Sequence, residues 1–296
     1  MNSVKTPKHN VILVPIDFST ASNNAVEHAV GIAELFENEI ALLYVVKESL
    51  FKSFFGSNVE HSILMDQINT KLEERKKMII DKHPNMIVNT IVKEGSVYKQ
   101  IIETAGTLPC DSIVMGYHGS SAVAQVIGST TSRVLRSSSV PVVIVKETKS
   151  TTTYKKILLP IDLTKESKQK VSWAIHLAKK YDSEVHVIME IEEDEFLMKK
   201  VSNNLAQVEA MLAKEGIKHV SKILDDQNYP EQFGGDVVQY AEEEDIDLVL
   251  IMTQKEGGVM DFFLGSFARQ IIEGTKQTPV MAINPKELAV HYITGY

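Results

Sequence analysis

The residues best suited to chemistry lie in one stretch, Gly116-Tyr-His118-Gly119, then residues 120–127, then Gly128-Ser129-Thr130-Thr131-Ser132. Glycines let a backbone approach an anion closely and adopt positive φ. A helix starting Ser-Thr-Thr-Ser would add free N–H groups, its dipole and several hydroxyls at the same spot. Together these make a phosphate cradle. The other reading is a glycine loop that only turns the chain and a Ser/Thr cap that only starts a helix, and at this point both stand. Two further segments could reach the same place, Pro15-Ile16-Asp17 and Tyr44-Val45-Val46, each at the end of an apolar run.

Little else in the chain points to catalysis. There is no His-Glu-x-x-His, Walker A, Gly-x-Ser-x-Gly or Gly-x-Gly-x-x-Gly pattern. The only general bases near the loop are Asp17 and His118, which argues against a committed hydrolase. Cys110 is the one cysteine, so an internal disulfide and a multi-cysteine zinc site are excluded. It aligns with Ile246 in the repeat described next, as a small buried hydrophobe would. The acidic run Glu192–Glu195 reads as a solvated loop.

The elements that must position these residues come in two copies. Val11-Ile-Leu-Val-Pro-Ile-Asp17 recurs as Lys156-Ile-Leu-Leu-Pro-Ile-Asp162, and Ala29, Ala33 and Phe36 recur as Ala174, Ala178 and Tyr181. Asp111–Met115, Gly128-Ser129 and Val140–Val145 are echoed in order by Asp247–Ile251, Gly265-Ser266 and Thr278–Ile283. In the first copy, apolar runs at 10–16, 40–46, 86–92, 112–116 and 142–145 predict strands. Helices are predicted over 60–82, 97–105 and 129–136, with another carrying Ala25, Ala29, Ile32, Ala33 and Phe36. Continuously apolar strands separated by helices predict a doubly wound α/β domain, mainly parallel and covered on both faces. The expected boundaries are 1–147 and 154–284, with 285–296 as a tail. The closing strands, Val142–Val145 and Val280–Ile283, are the expected contact edges between two separate sheets.

The strand ending Pro-x-Asp, the Gly-x-x-Gly…Gly-Ser loop and the closing Pro-Val-x-x-Val strand resemble the universal stress protein family, in its tandem form. That resemblance implies a five-stranded sheet in each copy. The family's ATP-binding members carry Gly-x-x-Gly, nine residues, then Gly-Ser/Thr; here eight residues separate Gly119 from Gly128. Carried over, the resemblance implies phosphate-loop positions at Gly116, Gly119, Gly128 and Ser129, with Asp17 near the nucleoside and Val45 at the adenine. Pro15, Ile16, Met115, His118 and Thr130 flank these and complete the expected site for ATP or a related adenine nucleotide, with Mg2+ as a companion. The second copy departs: Met252 and Lys255 stand at the first two glycine positions, Gly257 and Gly258 are out of step, and Glu190 replaces Val45. It is expected to be nucleotide-free, Lys255 being its one route to an anion.

Charge agrees with this asymmetry. Residues 1–150 hold equal numbers of acidic and basic side chains, so residues 151–296 carry the whole net charge of −8. Neither half has the basic stripe that nucleic acid demands. No apolar run approaches the roughly 20 residues of a membrane span, and the N-terminal residues do not read as a secretory signal. The expectation is a cytoplasmic stress-response protein in which nucleotide alters a surface offered to a protein partner. A paired arrangement of the two domains and a homodimer are further expectations. A nucleotide-independent scaffold is the alternative, and a slow ATPase the further one. The aromatic stretch Leu50–Gly56 and the tail are candidate docking segments.

Overall fold

The computed structural model describes residues 11–47, 58–117, 127–146, 153–164, 167–224, 233–255 and 262–285. The first half runs β1 (Val11–Pro15), α1 (Thr20–Phe36), β2 (Glu39–Lys47), α2 (Asn58–Lys82), β3 (Val88–Gly95), α3 (Val97–Thr107), β4 (Cys110–Gly116), α4 (Ser129–Ser137) and β5 (Val142–Val145). The second repeats it as β6 (Lys156–Pro160), α5 (Gln169–Tyr181), β7 (Glu184–Glu190), α6 (Glu195–Lys214), β8 (Lys218–Leu224), α7 (Phe233–Glu243) and β9 (Leu248–Met252). A short ribbon of β10 (Gln254–Lys255) and β11 (Phe262–Phe263) precedes α8 (Ser266–Gly274) and β12 (Val280–Ile283). The predicted strand at 86–92 begins two residues later and runs to Gly95. The two candidate docking segments, 50–56 and the tail from residue 286, lie outside the described residues.

The strands form one sheet of ten in the order β3-β2-β1-β4-β5-β12-β9-β6-β7-β8. Every pairing is parallel except that of β5 with β12, which is antiparallel, Val142 opposite Ala282 and Ile144 opposite Val280. The expected edges do meet. The expectation of two separate sheets is wrong, because backbone pairing of those edges fuses them. An unpaired edge strand satisfies its N–H and C=O groups most directly by adding another strand.

Period-two alternation sends neighbouring strand residues to opposite faces. Ile12 and Val14 pack with α1, α2, α5 and α6 in one cluster, and Val11 and Leu13 pack with α3, α4, α7 and α8 in the other. Both clusters span both halves. Cys110 is buried within the second, and burial pushes its thiol up to about 11, which suits a packing residue rather than a nucleophile.

Side chains reinforce the seam. His28 of α1 hydrogen-bonds the Tyr154 hydroxyl, both groups buried. Lys146 Nζ donates to Ile272 O, and Asn284 Nδ2 donates to Ser138 O at 2.6 Å. Phe36 packs against Tyr181 and His176, with ring centroids 5.9 and 5.6 Å apart.

Candidate functional site

Each half reverses strand order beside its first strand, between β1 and β4 and again between β6 and β9. Ligands of open α/β sheets bind beyond the carboxyl ends of the strands at such a point. In the first half β1 ends in Pro15, half-buried, then Ile16, buried, then Asp17, exposed. Asp17 Oδ1 accepts from Ser19 N–H at 3.1 Å and from the Ser19 hydroxyl at 2.5 Å. Ser19 in turn caps α1 by accepting from Ser22 N–H. The second half repeats this turn: Asp162 Oδ1 accepts from Thr164 N–H at 2.8 Å and from its hydroxyl. The carboxylate at this position therefore has a structural task in both halves.

Gly116 ends β4 against the first turn of α1. A Cβ there would lie 2.4 Å from the carbonyl carbon and oxygen of Ala21 and 2.7 Å from Ser22 N. Close backbone approach, not a turn, requires this glycine. Its counterpart is Met252, and the helix facing it is shorter. Thr20 starts α1, but α5 starts only at Gln169, well beyond the matching residue 165. Met252 is half-buried and packs against the core cluster that holds Val171 and Ala174 of α5.

Gly128 differs. It caps α4 with φ −58° and ψ 148° and supplies no side-chain cap. A Cβ built on it meets nothing within 4 Å. The positive φ that glycine permits is not used at Gly128: the conformation suits any residue, and none of the described residues demands a glycine there. Ser129 is exposed and Thr130 half-buried at the same helix end. Val45 is half-buried beside Tyr44, whose ring stacks on Phe18 at 5.3 Å. Burial and the Asp17 carboxylate push the Tyr44 hydroxyl upward. Met115 is buried in β4. His118 and Gly119 lie outside the described residues, as do Gly257 and Gly258.

Arg133 was missed by sequence reasoning. It lies one turn into α4, its guanidinium 4.9 Å from the centre of the Tyr98 ring. Counting along the repeat from Gly128-Ser129 and Gly265-Ser266 would have matched it to Gln270 and exposed a basic-to-neutral exchange. The α4 end is also tied to the second half, because Ile127 N–H donates to Glu273 Oε1 at 3.0 Å. Nearby, Lys146 Nζ lies 3.9 Å from the centre of the buried Tyr117 ring. Burial pulls the Lys146 ammonium down to about 8, partly offset by Glu273.

In the second half the matching positions line one cleft of about 280 Å³, which includes Pro160, Asp162, Lys170, Glu190, Ser266 and Gln270. Phe233 and Phe267 also line it, their rings stacked at 5.3 Å and 12°. Burial, then the charges of Glu192 and Asp236, push the Glu190 carboxyl upward. The pseudo-symmetry of the halves relates this cleft to Pro15, Asp17, Val45, Ser129 and Arg133. Among the described residues no group of three or more His, Cys, Asp or Glu could hold a metal ion. No described helix is long and apolar enough to cross a membrane.

Comparison with known proteins adds a family. The universal stress protein family model matches residues 9–146 and again 153–284. Two universal stress proteins of Methanocaldococcus jannaschii are 32% identical over 145 residues and 28% identical over 155 residues. Each match takes up 47% of this chain, and 82% and 96% of those proteins respectively. The crystal structure of a universal stress protein from Archaeoglobus fulgidus aligns with a TM-score of 0.74 at 22% identity, covering 95% of this chain and all of that one. At that identity the likeness is one of fold.

Proposed function

The chain belongs to the universal stress protein family, and from that premise we propose that its first half binds ATP or a related adenine nucleotide. Occupancy would reshape the α4 end and with it a surface offered to a protein partner in the cytoplasm. The observation that carries this reading is the N-terminus of α4. Gly128 has open space beside it and caps the helix without a side chain, and Arg133 follows one turn later. An uncapped helix N-terminus with a cation beside it suits phosphate.

The backbone N–H groups of Ser129 and Thr130 would hold phosphate oxygens, with Gly116, His118 and Gly119 on the approaching loop. Asp17 would accept from a sugar hydroxyl, and Ile16 and Val45 would flank the base, with Pro15 and Met115 as the strand-end supports. The phosphates would bring Mg2+ with them. Arg133 orients and neutralises charge. Asp17 and His118 are the only candidate bases the sequence offers near the loop, and Asp17 is engaged by Ser19, so turnover above roughly 1 per second is not expected.

Mass spectrometry of small molecules released from the denatured full chain, with calorimetric titration of ATP, tests the reading. The expected result is one adenine nucleotide per chain. The eight-residue spacing between Gly119 and Gly128 favours a second reading, a nucleotide-independent scaffold. Failure of ATP to bind at millimolar concentration would overturn the first reading in favour of the second.

A further inference from the structure

We propose that the cleft of the second half binds an aromatic α-amino acid in its zwitterionic form. The cleft has two poles of opposite sign and an aromatic wall. Lys170 makes the positive pole. It stands where the first half has Ala25, is 2% exposed, and lines the cleft. Its Nζ makes a single hydrogen bond among the described residues, to Pro160 O. An ammonium carries three donors, so two remain for an acceptor entering the cleft. Ser266 adds the first turn of α8, whose cap residue Gly265 supplies no side-chain hydrogen bond. A ligand carboxylate fits this pole.

Glu190 makes the negative pole. It replaces Val45 and is half-buried, and its carboxylate has no hydrogen bond or ion pair among the described residues. Glu192 and Asp236 deepen the negative field around it. Asp162 also lines the cleft, but its Oδ1 is already engaged by Thr164, and its charge helps hold Lys170 protonated. A half-buried carboxylate without a partner is costly, and a ligand ammonium would relieve it. The stacked Phe233 and Phe267 offer a flat apolar wall to a ring. A nucleotide does not fit, since several phosphate charges would meet Glu190 and Asp162, with Asp236 behind them, against Lys170 as the one cation among the described residues that line the cleft. A simple organic cation would leave the Lys170 donors unused, and a simple carboxylate would leave Glu190 unpaired. Only a molecule bearing both groups satisfies both poles. The inference does not depend on nucleotide in the first half.

Calorimetric titration of the full chain tests it, with L-phenylalanine as the probe and phenethylamine and 3-phenylpropionate as its one-pole analogues. L-Phenylalanine should bind, with each analogue at least tenfold weaker. Glu190→Gln, close to isosteric, should weaken L-phenylalanine binding at least tenfold and bring its affinity near that of 3-phenylpropionate. Lys170→Met should do the same towards phenethylamine. A thermal melt checks that each variant is folded, and Glu190→Gln alone decides the matter if Lys170→Met is not. Absence of L-phenylalanine binding at 10 mM would overturn the proposal. So would 3-phenylpropionate binding as tightly as L-phenylalanine, or an affinity unchanged in Glu190→Gln.

Discussion

One backbone frame carries two different sets of side chains. Where the first half has Ala25, Val45, Gly116, Thr130 and Arg133, the second has Lys170, Glu190, Met252, Phe267 and Gln270. The frame itself is shared, the late start of α5 aside. The same carboxylate turn follows the first strand in both, and Glu37 and Asp182 close the matching helices in the left-handed conformation, at φ 58° and 51°. What holds the frame is therefore separate from what fills the cleft. Both halves share a glycine-capped helix end, yet one cleft is acidic and aromatic while its twin carries Arg133 one turn into the helix. The exception is Gly116, where the frame and the site meet.

The comparison breaks most severely at that glycine. Gly116→Val should cost roughly 3 kcal/mol or more, because Cβ would overlap the Ala21 backbone and backbone cannot step aside as a flexible side chain can. Met252→Leu at the matching position in the second half should cost less than about 1.5 kcal/mol, since it keeps side-chain volume and asks no backbone to move. Urea unfolding of both variants provides the check. Equal losses would mean that close backbone approach at Gly116 does not set the cost.

Buried lysines give the next largest effect. Lys170 and Lys146 are both pulled down to about 8 by burial. Between that value and the unfolded value near 10.5, the unfolded chain binds more protons than the folded one, so stability rises with pH. The contribution is complete above about pH 10.5 and is lost as pH falls through about 8. The stability of wild type relative to Lys170→Met should therefore increase by about 1–3 kcal/mol between pH 7.5 and 10. Lys146→Met should behave likewise. The Cys110 thiol, pushed up to about 11, contributes in the opposite direction but cancels in each difference. A flat difference across this range, by urea titration, would show that the ammonium groups are better solvated than their burial implies.

Gly128 and Gly265 sharpen the contrast between sites. Gly128→Val should leave stability within about 1 kcal/mol, since its Cβ meets open space. It should weaken ATP binding about tenfold or more by crowding phosphate, a loss of about 1.4 kcal/mol. Gly265→Val should leave ATP affinity intact. Loss of ATP binding in the Gly265 variant alone, by calorimetry, would move the nucleotide to the other half.

Glu273→Ala removes the acceptor of Ile127 N–H and should cost about 1 kcal/mol. Glu273→Gln, which keeps an acceptor, should recover most of it. Amide hydrogen exchange at Ile127 is the direct readout, and unchanged exchange would mean that the second half does not hold the α4 end. The smallest effects concern the frame. Glu37→Gly and Asp182→Gly should each stabilise by about 0.5–1 kcal/mol, because glycine adopts positive φ without a Cβ penalty. Similar gains in the two halves, read as shifts in the melting temperature, are the expected sign of a shared frame.

Much of this molecule was legible without coordinates. The repeat, the parallel doubly wound halves and the burial of Cys110 follow from apolar periodicity and from the order of landmarks, which are local properties of the chain. The break in symmetry at Val45/Glu190 and Gly116/Met252 was legible as well, since aligned repeats compare residue types directly. The fused ten-stranded sheet was not, because edge pairing depends on how two finished units meet. Nor were the parts played by Arg133, Lys170 and Glu273. Each makes a contact outside its own helix: with Tyr98, Pro160 and Ile127 respectively. Helical spacing alone marks them as ordinary charged positions. Sequence set which residues each half could bring to its cleft, and tertiary packing decided which of them arrive there, because burial and close approach are properties of the assembled sheet.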